Sequence, residues 1–203
     1  MRTEQRYGTK AEKKRIIAAQ REAFADEAVV RWVTSDPARR EKLDATYVEY
    51  MVTDALKHDE VLLAVTDEGR IVGVSIWQTF DSAKRPAELA AEVAALSASV
   101  PGLDRVATVT RLIAEHHPDK PHLYLSSMGV VPDHRGKGVG SALLRHRLAA
   151  ADAAGQAAYL EASTPSSRDL YARHGFVQRE PDIALPDDGP RLHPMWREPG
   201  TGD

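Results

Sequence analysis

The run from residue 128 to 141, MGVVPDHRGKGVGS, constrains the fold more than any other part of the chain. An apolar stretch typical of a strand ends at Pro132, because proline cannot donate to a strand ladder. Three glycines at alternate positions follow, and they allow a tight turn and close approach to a ligand. An amphipathic helix then begins near Ser141, and its free N–H groups carry roughly half a positive charge. This strand–loop–helix pattern predicts a site for a phosphate or pyrophosphate group.

Two common phosphate loops fit this run poorly. A P-loop requires lysine and a hydroxyl residue after its last glycine, but Lys137 precedes two of the glycines. A dinucleotide fingerprint requires glycine or alanine where Ser141 stands, or a small residue where Leu143 stands. Glu161 follows at the end of the next apolar run, where a ribose-binding acid would lie, so an NAD-type Rossmann module remains an alternative. A glycine-rich surface turn that binds nothing is the other alternative.

The remaining chain predicts a mixed α/β (α+β) single domain over residues 1–203. Residues 1–10 are expected to be loosely ordered, with 3–8 as the one candidate for a first strand, and 197–203 to form a flexible tail. Before residue 120 the expected elements, in order, are a helix at 11–25, a helix from Asp36-Pro37 over 38–58, a hairpin of 61–66 and 71–77, and two short helices within 86–117. A strand at 122–131 follows, and the helix after the glycines ends at Gly155. The last expected elements are a strand at 156–162, a short helix with Thr164 as cap, and one or two terminal strands.

Composition excludes several classes of function. The formal net charge of −3 argues against nucleic acid as a partner. The chain has no cysteine, which excludes disulfides and thiolate chemistry, and its eight histidines lack the spacing of metal ligands, so no metal is expected. No apolar run approaches about 20 residues and no signal peptide is evident, so we expect a cytoplasmic protein without membrane contact.

Two motifs together carry a family resemblance. Arg135, Gly138 and Gly140 fill the arginine-x-x-glycine-x-glycine loop of acetyl-CoA-dependent N-acetyltransferases. The stretch LYARHGF at residues 170–176 follows one helix and one strand later, and that family has a leucine-tyrosine pair followed by glycine-phenylalanine in this place. The chain therefore resembles the GCN5-related N-acetyltransferase (GNAT) superfamily. The segments LEASTPSSRDLYARHGF and RLHPMWREPG are similar to its puromycin N-acetyltransferase-like branch.

The resemblance implies a splayed β-sheet flanked by helices and acetyl-CoA as cosubstrate. The strand at 122–131 would pair with the pantetheine arm and leave its neighbour at a bulge near Ser126-Ser127. Backbone N–H groups of the glycine loop would hold the pyrophosphate. The residues expected to bind the cosubstrate are Met128, Val130, Arg135, Gly136, Lys137, Gly138, Val139, Gly140 and Ser141.

The transfer needs an acid for the leaving thiol and a base for the amine. A phenol with a pKa near about 10 can protonate a thiolate, and the resemblance assigns this role to Tyr171. Glu161 ends a strand beside the expected cleft and is the candidate base, acting through water. A core tyrosine and a carboxylate paired with an arginine are the structural alternatives. His116 and His117 fall in a loop and are expected to be exposed.

The acceptor pocket is expected to come from the helices before residue 60 and from the segment 86–117. Its candidate residues are Phe24, Trp32, Tyr47 and Tyr50. The expected reaction is acetyl transfer to a primary amine of a small molecule by direct attack in a ternary complex, with an aminonucleoside antibiotic such as puromycin as one candidate. A non-catalytic CoA-binding sensor and an acetyltransferase of peptide or protein amines remain alternatives. The protein is expected to be a monomer or a homodimer.

Overall fold

The computed structural model describes residues 2–34, 36, 38, 41, 43–100 and 102–200, and these form one sheet with helices on both faces. The spatial order of its strands is β1-β2-β3-β4-β5-β8-β6, with β7 also paired to β8. Strands β4 and β5 run parallel, and the other pairs are antiparallel. The strands are β1 (Thr3–Tyr7), β2 (Glu60–Thr66), β3 (Ile71–Phe80), β4 (His122–Val130), β5 (Ala158–Ala162), β6 (Val177–Gln178), β7 (Ile183–Ala184) and β8 (Arg191–Arg197).

The helices confirm the predicted mixed α/β order. They are α1 (Lys13–Phe24), α2 (Ala28–Val33), α3 (Glu49–His58), α4 (Lys84–Ser97), α5 (Asp104–His116), α6 (Val139–Ala153) and α7 (Pro165–Ala172). A π-helical turn over Asp44–Val48 leads into α3. Thr164 caps α7 as predicted, because its side chain accepts a hydrogen bond from Ser167 N. The predicted helix start at Asp36-Pro37 includes Pro37, which lies outside the described residues.

The expectation that residues 1–10 are loosely ordered is wrong. Thr3–Tyr7 forms strand β1 and pairs along β2, from Thr3 opposite Thr66 to Tyr7 opposite Leu62. Arg6 adds a two-pronged ion pair to Glu12, with N–O distances of 2.7 and 2.9 Å. The segment lacks an apolar pattern because it is an edge strand, held by backbone pairing instead of burial.

The C-terminal end is also more ordered than expected. Arg197 closes β8 and forms a bidentate ion pair with Asp152 of α6, at 2.6 and 2.8 Å. The backbone N–H of Gly200 donates to the same carboxylate at 2.7 Å. The predicted flexible tail over 197–203 is therefore wrong as far as Gly200, and residues 201–203 lie outside the described residues.

Two apolar layers cover the two faces of the sheet. Alternation in β2 sends Leu62 to one face and Leu63 to the other. Leu143 of α6 packs in the layer that contains Leu62. Residues of α1 and α3, among them Ile16, pack in the layer that contains Leu63. Burial on both faces explains why β2 and β3 are almost continuously apolar.

Strands β4 and β5 separate after only two paired positions. Leu123 lies opposite Ala158 and Tyr124 opposite Tyr159, and the ladder between these strands ends there. On its other side β4 stays paired with β3, but the register shifts so that Ser126 has no opposite residue. This β-bulge confirms the one predicted at Ser126-Ser127. The bulge and the divergence together open a cleft in the middle of the sheet.

Candidate active site

One cavity of about 990 Å³ occupies the cleft and brings most of the predicted site residues together. Most residues of the glycine loop and of the expected acceptor pocket line this same cavity. The predicted residues on its wall are Phe24, Tyr47, Tyr50, Met128, Val130, Arg135, Gly136, Gly138, Val139, Gly140, Ser141, Glu161 and Tyr171. Two predicted residues, Trp32 and Lys137, are not part of that wall.

The glycines of the loop serve two different physical needs. Gly136 and Gly138 have φ angles of 71° and 81°, the left-handed region that disfavours other residues. Gly138 is also the N-cap of α6, so the first N–H groups of this helix have no partner within it. Gly140 has ordinary dihedrals, but a β-carbon there would lie 3.2 Å from Leu170 Cδ2. The loop therefore presents bare backbone donors, while Gly140 allows α7 to pack closely on α6.

Ser141 links the loop to the helix that carries Tyr171. Its Oγ lies 3.0 Å from Nε2 of His174, just after α7. Burial lowers the pKa of His174, and the neighbouring Arg145, Arg173 and Arg197 lower it further. A neutral imidazole can accept the hydroxyl proton or donate to the oxygen, so the contact is kept in either tautomer.

Glu161 is a buried carboxyl with a strongly altered acidity. Its Oε2 accepts a hydrogen bond of 2.8 Å from the hydroxyl of Tyr124. Its Oε1 is buried, and the hydroxyl of Tyr159 also interacts with this carboxylate. Burial raises the pKa of Glu161 to about 7, and the hydroxyls of Tyr124 and Tyr159 oppose this rise. A carboxyl that titrates near neutrality can accept a proton at physiological pH and release it again.

Tyr171 lies on the wall of the cavity with only 7% of its surface exposed. Its ring meets Phe176 edge to face at 6.0 Å. Gly175, with a φ of 85°, makes the turn between them, as the glycine-phenylalanine motif predicted. Burial raises the pKa of Tyr171 well above its ordinary value, so the phenol stays protonated at neutral pH. A protonated phenol is able to donate a proton.

The opposite wall is aromatic and acidic. Burial raises the pKa of Tyr47 to about 12, while Tyr50 is 39% exposed. Asp59 also lines this wall, and its carboxylate accepts a hydrogen bond of 2.8 Å from Gln78. Burial raises the pKa of Asp59 as well. Asp59 was not among the sequence candidates, since a lone aspartate after a helix carries no pattern.

Trp32 corrects the predicted acceptor set. Its indole N–H donates to the carbonyl of Pro186 at 3.1 Å, and the Arg105 guanidinium stacks 4.7 Å from its ring centre. It packs with the apolar residues of β7 and β8 and not against the cavity. The indole of Trp32 therefore packs against the loop before β8, and it does not face the expected acceptor. Lys137 is exposed at the loop and lies off the cavity wall.

His117 is a cavity residue that sequence reasoning placed in solvent. His116 is exposed, but His117 is only 6% exposed and meets the rings of Tyr124 and Tyr159 edge-on. Its Nε2 lies 3.0 Å from Nε2 of His122. Because His122 Nδ1 must donate to the carbonyl of Lys120, His122 Nε2 accepts from His117. Burial and the neighbouring His122 lower the pKa of His117 to about 3, so it is neutral.

Comparison with known proteins decides between the open interpretations of the loop. A sequence model of the acetyltransferase (GNAT) family matches residues 20–176, which include the cleft, the glycine loop and Tyr171. The chain belongs to the GNAT acetyltransferase family. The Rossmann alternative and the turn that binds nothing are thereby set aside. Members of the GNAT family take the acetyl group from acetyl-CoA.

Solved GNAT structures share this fold over their whole length. A Corynebacterium glutamicum protein, "histone acetyltransferase HPA2 and related acetyltransferase", is 28% identical, with a TM-score of 0.72 and coverage of 100% of this chain and 99% of that one. Arylalkylamine N-acetyltransferase 2 of Aedes aegypti has a TM-score of 0.72 at 16% identity, covering 98% and 100%. A Drosophila melanogaster polyamine N-acetyltransferase that forms N-acetylagmatine has a TM-score of 0.67 at 14% identity, covering 97% and 100%.

Two further findings concern the described part of the GNAT chain. It contains no group of three or more histidine, cysteine, aspartate or glutamate side chains placed to hold a metal ion. None of its helices is both long and apolar enough to cross a membrane.

Proposed function

We propose that this GNAT protein transfers the acetyl group of acetyl-CoA to the primary amine of a small molecule. The observation that carries the proposal is the single cavity between β4 and β5. It joins the bare N-terminus of α6, a carboxyl that titrates near pH 7 and a buried phenol. A phosphate site, a base and an acid in one cavity are the groups that thioester aminolysis requires.

The donor half of the cavity is built from backbone. The N–H groups of residues 138–141 at the start of α6 would hold the pyrophosphate. Beyond Tyr124 no described strand pairs with the β5-facing edge of β4, so its backbone groups are available to the pantetheine amides. Met128 and Val130 lie on this stretch and line the cavity. An extended pantetheine arm would occupy the place of the missing strand partner.

Glu161 would act as the general base. An alkylammonium group, with an ordinary pKa near about 10.4, must lose a proton before it can attack. Glu161 takes that proton, through a water molecule, when its own carboxyl is ionised. The amine nitrogen then forms a bond to the thioester carbon, and the carbon–sulfur bond breaks as the tetrahedral intermediate collapses.

Tyr171 would act as the general acid. The departing thiolate takes the phenolic proton, and Tyr171 recovers a proton from the positively charged nitrogen of the intermediate as the neutral amide forms. One proton per turnover leaves Glu161 for solvent, which balances the conversion of an ammonium to a neutral amide. Because burial raises its pKa, the phenol of Tyr171 is protonated in the resting site, and its hydroxyl can hydrogen-bond to the sulfur as negative charge develops there.

The acceptor half supports a cationic amine with an aromatic or apolar body. Phe24, Tyr47 and Tyr50 offer ring surface for an apolar body. The carboxylates of Asp59 and Glu161 line the same cavity and would pair with a positively charged amine. Burial raises the pKa of both acids because it disfavours their charged forms, and a cationic amine bound beside them would favour those charged forms. The resemblance to the puromycin N-acetyltransferase branch makes puromycin, and hence antibiotic resistance, the first specific candidate.

A panel of amines tests the proposal. Purified protein with acetyl-CoA should release free thiol with at least one arylalkylamine, diamine or aminonucleoside, puromycin included. Thiol release only with peptide amines would show that the acceptor is a peptide or protein amine. Tight CoA binding without an acetylated product from any amine would replace the enzyme with a CoA-binding sensor.

Alanine at Gly138 should weaken CoA binding about tenfold. A left-handed φ costs a residue with a β-carbon about 1–2 kcal/mol, which the loop relieves by turning its N–H groups away from the phosphate. Gly155, with a φ of 63° at the other end of α6, gives the matched control. Gly155→Ala should lose similar thermal stability and keep its CoA affinity, as measured by calorimetric titration. Equal CoA affinities for the two variants would contradict the assigned role of the loop.

A further inference from the structure

The guanidinium of Arg135 is almost fully engaged by protein oxygens. Its Nε donates to the carbonyl of Val130 at 3.0 Å, and Nη2 donates to the carbonyl of Ala23 at 2.8 Å. Nη1 and Nη2 also grip the two carboxylate oxygens of Asp26, at 2.6 and 2.7 Å. Arginine has five N–H donors, and these contacts use all but one of them. The side chain therefore has little capacity left to bind a phosphate.

These contacts join three segments around the cavity. Ala23 and Asp26 belong to the end of α1 and the turn after it, while Val130 ends β4. Beneath them α1 rests directly on the strand, since a β-carbon on Gly129 would lie 2.4 Å from Phe24 and 2.8 Å from Ala23 Cβ. Arg135 opens the glycine loop, so its anchored side chain fixes the direction in which that loop leaves β4.

We propose that Asp26 is a positioning residue for the pyrophosphate loop: it holds Arg135 so that the N–H groups of residues 138–141 face the cosubstrate. This inference rests on the proposed function. Asp26 acts through Arg135 and contacts no phosphate itself. The bidentate geometry gives a directional hold that one carbonyl contact would not.

The sign of the effect separates this role from simple electrostatics. A carboxylate beside an anion site repels the anion, so a purely coulombic Asp26 would weaken CoA binding, and its removal would strengthen it. A positioning Asp26 has the opposite sign, because its loss frees Arg135 and loosens the loop. The two side chains are 41% and 56% exposed, so their ion pair adds little to global stability. The change should appear in binding and leave folding nearly unaffected.

Glu27 offers a matched control for the loss of charge. It is the next residue in the chain, it lines the same cavity, and its carboxylate accepts from the backbone N–H of Val30 at 2.9 Å. This contact is with α2, and the partners of Arg135 are Val130, Ala23 and Asp26. Replacing it with glutamine removes a negative charge beside Asp26 and leaves the Asp26–Arg135 pair intact.

Calorimetric titration of CoA into wild type, Asp26→Ala, Asp26→Asn, Arg135→Gln and Glu27→Gln tests the proposal. Asp26→Ala should weaken CoA binding about five- to twentyfold, Asp26→Asn should weaken it less, and Glu27→Gln should leave it unchanged or stronger. The double variant Asp26→Ala/Arg135→Gln should bind no more weakly than Arg135→Gln, since the two residues act as one unit. The KM for acetyl-CoA should rise with kcat within about twofold of wild type, a split that general misfolding would not give.

Unchanged or tighter CoA binding by both Asp26 variants would overturn the inference. Additive losses in the double variant would also overturn it, since they would make Arg135 an independent phosphate ligand. A wild-type protein that does not bind CoA would instead overturn the proposed function. The two failures are therefore distinguishable in one set of titrations.

Discussion

Glutamine in place of Glu161 should lower kcat by two to three orders of magnitude and, at pH 8, make the protein more stable. A positioned general base contributes about 10²–10⁴-fold to the rate, and glutamine cannot accept the proton. Glutamine keeps the shape of the side chain and can still accept the hydrogen bond from Tyr124. The predicted loss is therefore one of chemistry and not of architecture.

The gain in stability follows from the raised pKa. The fold disfavours the charged carboxyl, which titrates at about 7 in place of the ordinary 4.5. Below pH 4.5 Glu161 is protonated in both states and costs nothing. As pH rises from 4.5 to 7 the wild type loses stability relative to the variant, and above pH 7 the difference is complete. This difference in the free energy of unfolding is on the order of 3 kcal/mol, and a weaker hydrogen bond from Tyr124 to glutamine would reduce it.

Thermal melts of the Glu161→Gln protein and wild type between pH 4 and pH 8 measure this directly. The variant should melt several degrees higher at pH 8, and the difference should vanish toward pH 4. In the wild type, kcat/KM should fall as pH drops below about 7. A variant with wild-type kcat would exclude Glu161 as the base. A variant less stable than wild type at pH 8 would show that the fold does not disfavour the charged form of Glu161.

Phenylalanine in place of Tyr171 should lower kcat more than tenfold while CoA affinity stays near that of wild type. The ring packs against Phe176 and stays in place, so the variant loses only the hydroxyl that would protonate the leaving thiolate. Pre-steady-state measurements should show the loss in the chemical step. Unchanged kcat would leave Tyr171 as a core residue that happens to line the cavity.

Tyr47→Phe is the matched control for the Tyr171 variant. It removes a hydroxyl from the acceptor side of the same cavity, where burial also raises the phenol pKa. This change should move the KM for the amine and spare kcat. A fall in kcat of equal size in both variants would show that the rate responds to any lost hydroxyl in the cavity and not to a specific acid.

The sequence predicted the backbone geometry of the glycine loop better than the surroundings of Trp32 and His117, for a physical reason. Gly138 must adopt a left-handed φ and Gly140 must admit Leu170, so local backbone geometry imposes a readable pattern. Such features depend on neighbours in sequence. The bulge at Ser126 was expected from the family resemblance, because it arises in the pairing of β4 with β3.

The positions of the other cavity residues depend on contacts between segments that are distant in sequence. Trp32 contacts Arg105 and Pro186 and does not line the cavity. His117 is buried against the aromatic rings of β4 and β5. Residues 3–8 were a candidate strand, but their polar sequence did not show that β1 pairs with β2. Asp26 meets Arg135 across the cavity mouth. No local periodicity records such pairings, so the sequence alone could not predict them.

Mass spectrometry of the amine after incubation with acetyl-CoA tests the central claim most directly, when paired with a thiol assay on the same sample. We expect an N-acetylated amine in the same molar amount as the thiol released, with both lost together in the Glu161→Gln protein. Thiol release without an acetylated amine, or CoA binding with neither product across the panel, would contradict it.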